Sequence, residues 1–190
     1  MGECKRRVVC WAPVWDQDRV GVGLEHLLLA DREAESTILA FDEAGHPFRL
    51  TYRLAWDEAW RLRTARLDVT TEALSRALEL AADGEGDWRD GSGQARPDLD
   101  GCLDIDIWPT PFTNTFPIRR APMAVGERRE FVMAWISAPQ LTLTPMRQGY
   151  TRLADRRYLF ENLESGFRAL LDVDADGIVL DYEGIFRRIH

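Results

Sequence analysis

The chain has 190 residues, with 24 Lys+Arg against 32 Asp+Glu, a net charge of −8, and a hydrophobic share of 45%. That is enough apolar material to bury a core without staples, and it excludes collagen-like, low-complexity and highly charged disordered classes. The acidic balance also argues against nucleic acid or an anionic membrane as the main partner, because both are bound by Lys and Arg neutralising phosphates.

Seven tryptophans and a single lysine, Lys5, are the compositional oddities. Arginine therefore supplies nearly all the positive charge, which suits bidentate pairing and stacking. At the start of the chain, Lys5, Arg6 and Arg7 precede no apolar run of the length a secretory signal needs. The longest apolar stretch, Phe131 to Ile136, falls far short of the ~20 residues that span a bilayer. These features predict a soluble, cytoplasmic protein forming one domain over residues 1–190, with no transmembrane segment. Cys4, Cys10 and Cys102 are odd in number and lack a CxxC spacing, so free thiols are expected rather than a disulfide framework or a zinc site.

Along the chain, apolar residues recur mostly with period two, the mark of strands with one face in a core. The first such run is Val20, Val22, Leu24, followed by Phe48, Leu50, Tyr52, Leu54. Further strands are predicted over Arg61 to Thr70, Ser75 to Ala82, Cys102 to Trp108, Arg129 to Ser137, Gln140 to Met146, Gly166 to Val173 and Ile178 to Tyr182. Turn chemistry separates them at Asp42 to Pro47, Asp83 to Gly86, Asp90 to Gly93 and Asp174 to Gly177. Tyr158 to Leu171 and, more weakly, Trp56 to Leu62 read as helical windows. The expected class is mainly β: a curved antiparallel sheet forming an incomplete, barrel-like structure with one or two short helices. Two hairpins also resemble each other. Leu39 to Gly45 with Tyr52 and Trp60-Arg61 parallels Leu171 to Gly177 with Tyr182 and Phe186-Arg187.

Three segments could carry chemistry. Asp172-Val-Asp174-Ala-Asp176-Gly177, followed by Glu183, matches a calcium-loop pattern. The flanking alternation of Phe167, Ala169, Leu171 and Val173 favours a tight hairpin turn instead. In Cys102 to Trp108, a strand places Asp104 and Asp106 on one face, roughly 7 Å apart at Cα. A glycosidase acid/base pair could use that spacing. Nothing in the sequence raises one of the two pKa values as that chemistry requires. The Pro109 to Arg120 segment contains Pro109, Pro111 and Pro117, so it cannot be a central strand and must be stiff, extended or turning. Thr110, Thr113, Asn114 and Thr115 offer hydroxyl and amide groups on it, and Arg119 and Arg120 offer planar donor forks. Serine nucleophile elbows, P-loops and dinucleotide fingerprints are absent.

Several stretches together resemble a glycolipid-binding protein family first described as a domain of unknown function. They are Trp15 with Gly23-Leu-Glu25; Phe48 to Tyr52 with Asp57 and Trp60-Arg61; Gly86-Asp-Trp88; Gly101 to Asp106; Thr110 to Arg120; and Val173 to Val179 with Tyr182. The Thr110 to Arg120 block is the most specific of these. Glu183 departs from the family pattern, in which a proline is expected, and that departure completes the calcium motif. The resemblance implies an open, curved, largely antiparallel β structure similar to bacterial lipoprotein-localisation factors, with a cavity suited to an acyl chain or glycolipid. The main expectation is a non-enzymatic binding protein, with no cofactor and no metal site expected from the residues. On this reading Asp104, Asp106, Asn114, Arg119 and Arg120 contact the ligand's polar head, Trp60 and Trp88 lie near the rim, and Glu25, Tyr52 and Thr113 are further ligand-binding residues. The alternative is a carbohydrate-active hydrolase using Asp104 and Asp106. Oligomeric state is not specified.

Overall fold

A computed structural model describes residues 6–14 and 23–190. Among the described residues fourteen strands follow one another: β1 (Arg7–Pro13), β2 (Leu24–Leu29), β3 (Glu33–Phe41), β4 (Pro47–Trp56), β5 (Leu62–Thr71), β6 (Ser75–Ala82), β7 (Trp88–Asp90), β8 (Asp104–Trp108), β9 (Arg128–Ser137), β10 (Thr142–Ala154), β11 (Arg157–Asn162), β12 (Arg168–Val173), β13 (Val179–Tyr182) and β14 (Phe186–Arg188). One helix, α1 (Thr115–Arg120), lies between β8 and β9, with short 3-10 turns at Pro97–Leu99 and Phe112–Asn114.

All fourteen strands belong to one curved sheet that does not close, in the order β7-β6-β5-β4-β3-β2-β1-β14-β13-β12-β11-β10-β9-β8. Each neighbouring pair is antiparallel except β8 with β9, which is parallel. Twist accumulates across a sheet and curls one of this width. Alternation sets the inner face cleanly: in β3 every second residue from Ala34 to Ala40 is buried, and β4 follows with Phe48, Leu50, Tyr52, Leu54 and Trp56. The concave side is filled by the connection between β7 and β9. It contributes Leu99, Ile105, Ile107, Phe112 and Phe116, all fully buried.

Two helical windows are corrected. Tyr158 to Leu171 is the β11–β12 hairpin, paired through Tyr158 with Leu171 and Phe160 with Ala169, and its apolar residues fit period two as well as period 3.6. Trp56 to Leu62 is the turn between β4 and β5. Conversely, the Pro109 to Arg120 segment is helical in part. Proline is tolerated in a first helical turn, whose N–H groups have no intrahelical acceptor, and Pro117 sits there in α1. The Val20, Val22, Leu24 run falls partly outside the described residues, and the inward phase differs from the one expected: Leu24 is exposed, whereas Glu25 and Leu27 are buried.

The turns share one construction. Asp42, Asp57, Asp83, Asp90 and Asp174 each accept, at Oδ1, the N–H groups two and four residues ahead. The residue three ahead has positive φ: Gly45 (83°), Trp60 (60°), Gly86 (113°), Gly93 (84°) and Gly177 (77°). Glycine meets that requirement without steric cost, and Trp60 is the exception. The two resembling hairpins, at Asp42 and Asp174, are built on this same turn.

Candidate functional site

The predicted polar residues divide into two buried clusters and one exposed end. In the first cluster, Glu25 on β2 is fully buried and accepts hydrogen bonds from Ser36 Oγ (2.7 Å, β3), Tyr52 OH (2.6 Å, β4) and Thr110 Oγ1 (2.7 Å). Burial pushes its pKa up to about 7, against the pull of those three hydroxyls. A lone buried carboxylate would be costly, and three hydroxyls from three segments make the position tenable.

The second cluster lies on β8 and its neighbours. Asp104 is fully buried and is gripped at both oxygens by the Arg120 guanidinium, at 2.8 and 2.6 Å. Burial raises the Asp104 pKa, and the Arg120 fork opposes it. Asp106 accepts from Gln148 Nε2 (2.6 Å) and Thr113 Oγ1 (3.0 Å), and Tyr150 OH donates to Asn114 Oδ1 at 2.8 Å. Burial likewise raises the Asp106 pKa. Both carboxylates are thus committed to protein donors, and neither lines the grooves described below. Thr115 Oγ1 is the one buried side-chain polar atom without a partner among the described residues.

Together these bonds fasten the Thr110 to Arg120 segment inside the sheet. Where an open acyl-chain cavity is expected, the concave side holds Phe112 and Phe116, packed edge-on at 6.0 Å, with Trp56 5.5 Å from Phe116. Trp88, expected near the rim, is buried, and its Nε1–H donates to the Cys102 carbonyl at 2.7 Å. A buried indole needs such a partner for its N–H. Trp11 is buried in the same manner, donating to the Val179 carbonyl. Trp15 lies outside the described residues.

The exposed end is formed by the β4–β5 and β12–β13 turns and the end of α1. Trp60 stacks on Trp56 with ring centroids 4.8 Å apart, and the Arg119 guanidinium lies over the Trp60 ring at 5.2 Å. Two grooves meet at this pair. One, of about 630 Å³, has Trp60, Ile118, Pro122, Met123, Tyr158 and Val173 among its lining, with Arg119, Arg120, Arg152 and Arg156 contributing charge. The other, of about 600 Å³, is lined by Trp60 and Arg119 again with Trp56, Leu29, Ile178 and Arg7. Both volumes fall within the ~300–1,000 Å³ usual for small-molecule sites. Trp60, Arg119 and Arg120 are the predicted residues that line this end. Met123, Tyr158, Arg152 and Arg156 were not predicted, since no local motif marks them. A comparison of turns does single out Trp60, because Asp57-Glu-Ala-Trp60 repeats Asp42-Glu-Ala-Gly45 with tryptophan in the glycine position.

The Asp172 to Glu183 segment runs from the end of β12 through the tight turn at Asp174 to Gly177 and along β13, so it is a β-hairpin. Asp172 pairs with Arg157, Asp174 with Arg7 and Arg188, and Glu183 accepts the Leu170 N–H. Among the described residues no group of three or more His, Cys, Asp or Glu is placed to hold a metal ion. No helix among them is long and apolar enough to cross a membrane.

Comparison with known proteins agrees with this architecture. No curated protein matches the chain. A crystal structure of a DUF1089-family protein from Pseudomonas aeruginosa superposes with a TM-score of 0.87 at 52% identity, covering 94% of this chain and 97% of that one. The model of the family described as "Putative glycolipid-binding" matches residues 12–188, almost the entire length, and the chain belongs to that family.

Proposed function

We propose that the protein binds a lipid or glycolipid and does not transform it, holding the polar head beside Trp60 and Arg119 and the adjoining apolar portion on the groove floor of Ile118, Met123, Tyr158 and Val173. The observation that carries this reading is the composition of that groove, an apolar floor bordered by arginines and by a tryptophan held in the left-handed region. Indole and guanidinium planes suit a ligand with an apolar body and a hydroxylated or charged head. The family description points the same way.

In this reading the buried polar residues act from behind. Glu25, Tyr52, Thr113, Asn114, Asp104 and Asp106 hold the inner segment so that Arg119 and Arg120 emerge at the groove, and Trp88 ties that segment's beginning to β7. The hydrolase alternative has no supporting geometry, because Asp104 and Asp106 are bonded to Arg120, Gln148 and Thr113. Native mass spectrometry of protein purified from its host, followed by lipid extraction, tests the proposal. A co-purifying species with lipid mass is expected. Protein that carries none, and that binds no amphiphile offered to it, would overturn the reading.

A further inference from the structure

The charges at the groove end are nearly all matched internally. Arg7 pairs with Asp174 (2.9 Å) and Asp176 (3.0 Å), Arg188 with Asp174 (2.7 Å), Arg120 with Asp104 (2.6 Å), Arg152 with Asp155 (2.8 Å) and Arg32 with Glu58 (3.1 Å). Every carboxylate lining the larger groove, namely Glu58, Asp155 and Asp174, therefore already has an arginine. Arg156 keeps a looser contact with Asp155, at 3.9 Å. Arg119 has no carboxylate partner among the described residues, in a chain where acids outnumber bases 32 to 24.

Arg119 is nonetheless held in place. Its guanidinium lies over Trp60, and its stem packs on the Asp174 turn so closely that a Cβ at Gly177 would come within 3.1 Å of its Cδ and 3.3 Å of Ile118 Cγ2. Glycine at 177 thus serves the approach of Arg119 as well as the turn. Trp60 is kept at φ 60°, where four sister turns use glycine, which is the kind of local strain found where a side chain must be presented in one place. The result is an exposed fork of N–H donors, fixed on two sides and uncompensated, at the junction of two grooves.

We propose that the head group taken at this end carries an oxyanion, such as a phosphate, sulfate or carboxylate, and that Arg119 donates its paired N–H groups to it. Arg–oxyanion pairs are planar, bidentate and charge-assisted, and among the described residues Arg119 is the groove-lining guanidinium with no carboxylate in ion-pair contact. The inference rests on the lipid-binding reading and specifies the class of head group.

The test titrates the protein with dodecyl phosphate, dodecyl maltoside and inorganic phosphate, the amphiphiles below their micellar concentrations, using calorimetry and tryptophan fluorescence. The two amphiphiles share a tail and differ in head charge. Dodecyl phosphate is expected to bind at least about tenfold more tightly than dodecyl maltoside, the size of one charge-assisted hydrogen bond. Arg119→Gln is expected to remove that advantage, so that dodecyl phosphate binds no more tightly than dodecyl maltoside, and Arg119→Lys to retain part of it. Circular dichroism checks that the variants fold, which the exposed position of Arg119 favours. Equal affinity for both amphiphiles, unaltered in Arg119→Gln, would overturn the oxyanion inference and leave lipid binding standing. Inorganic phosphate binding as tightly as dodecyl phosphate would also overturn it, by making the free anion the ligand. If neither amphiphile binds, the lipid reading falls and this inference with it.

Discussion

Trp60 and Gly45 occupy the same position in two turns that both begin Asp-Glu-Ala, yet only glycine is at ease with the backbone they share. A non-glycine residue in the left-handed region costs about 1 kcal/mol or more, offset here by stacking on Trp56 and edge contacts to Phe116. Trp60→Gly is therefore expected to be more stable than Trp60→Ala by about 1 kcal/mol, the reverse of the usual order of the two residues. Urea unfolding of the two variants measures the difference, and equal stabilities would show that the turn does not impose its conformation. Glu25 makes a prediction of a different kind. Its unfolded form ionises near the ordinary 4.5, whereas in the native state burial holds the proton to about 7. Between those values the unfolded chain releases a proton that the native protein keeps, so raising the pH favours unfolding. Stability should fall by up to about 3 kcal/mol from pH 4.5 to pH 8 through this group. Glu25→Gln should flatten that slope, as read from thermal unfolding across the same pH range.

The decisive element is the segment from Asp104 to Arg120, which carries its own polar fastenings into the interior. Its Asp104–Arg120 pair has one partner fully buried and the other mostly so. Removing the cation alone leaves a carboxylate stranded in the core. Arg120→Met is expected to cost about 3–5 kcal/mol, and the double variant Asp104→Leu/Arg120→Met less than the single one, because an apolar pair of similar volume removes the unmatched charge. Chemical denaturation of the three proteins checks this, and a double variant weaker than Arg120→Met would refute it. This element also shows how the sequence misleads. Thr110, Thr113 and Asn114 have the polar density of a recognition loop, yet their partners Glu25, Asp106 and Tyr150 turn that density inward.

For the whole molecule, the open sheet leaves two edges, and both are protected. β7 has three residues and is covered where Ala95 bridges Arg89 and Arg96 N–H donates to the Trp88 carbonyl. β8 has five residues and packs between β9 and the inner segment. Short or covered edges discourage pairing with other chains. The proposed ligand site lies away from both edges, at an end of the curve between turns, where Trp60 and Arg119 stand. Binding there stabilises the native protein by mass action: a ligand at ~100 times its dissociation constant adds about 2.7 kcal/mol. For a chain of this size that raises the melting temperature by roughly 5–10 °C. Differential scanning calorimetry with dodecyl phosphate checks the shift, and an unchanged melting temperature at that excess would contradict binding to the native state.

The alternation of apolar residues determined the class of fold, and Asp-x-x-Gly spacing determined most of the turns, because both depend on contacts within a few residues. Period two placed β4, β5, β6 and β9 nearly at their observed bounds, and the block from Thr110 to Arg120 marked the family. Where local rules compete, the sequence was ambiguous: Tyr158 to Leu171 fits two periods, and strand pairing with β10 and β13 settles it. The face of β2 was not legible at all, since Glu25 points inward only because hydroxyls distant in sequence are waiting for it. Tertiary structure alone decided which polar groups are spent on the fold and which are free. Asp104, Asp106, Thr113 and Asn114 are satisfied inside the molecule, whereas Arg119, indistinguishable from Arg120 along the chain, ends at the surface beside Trp60 with no carboxylate partner among the described residues. That difference of one helical position separates a structural ion pair from an available cation.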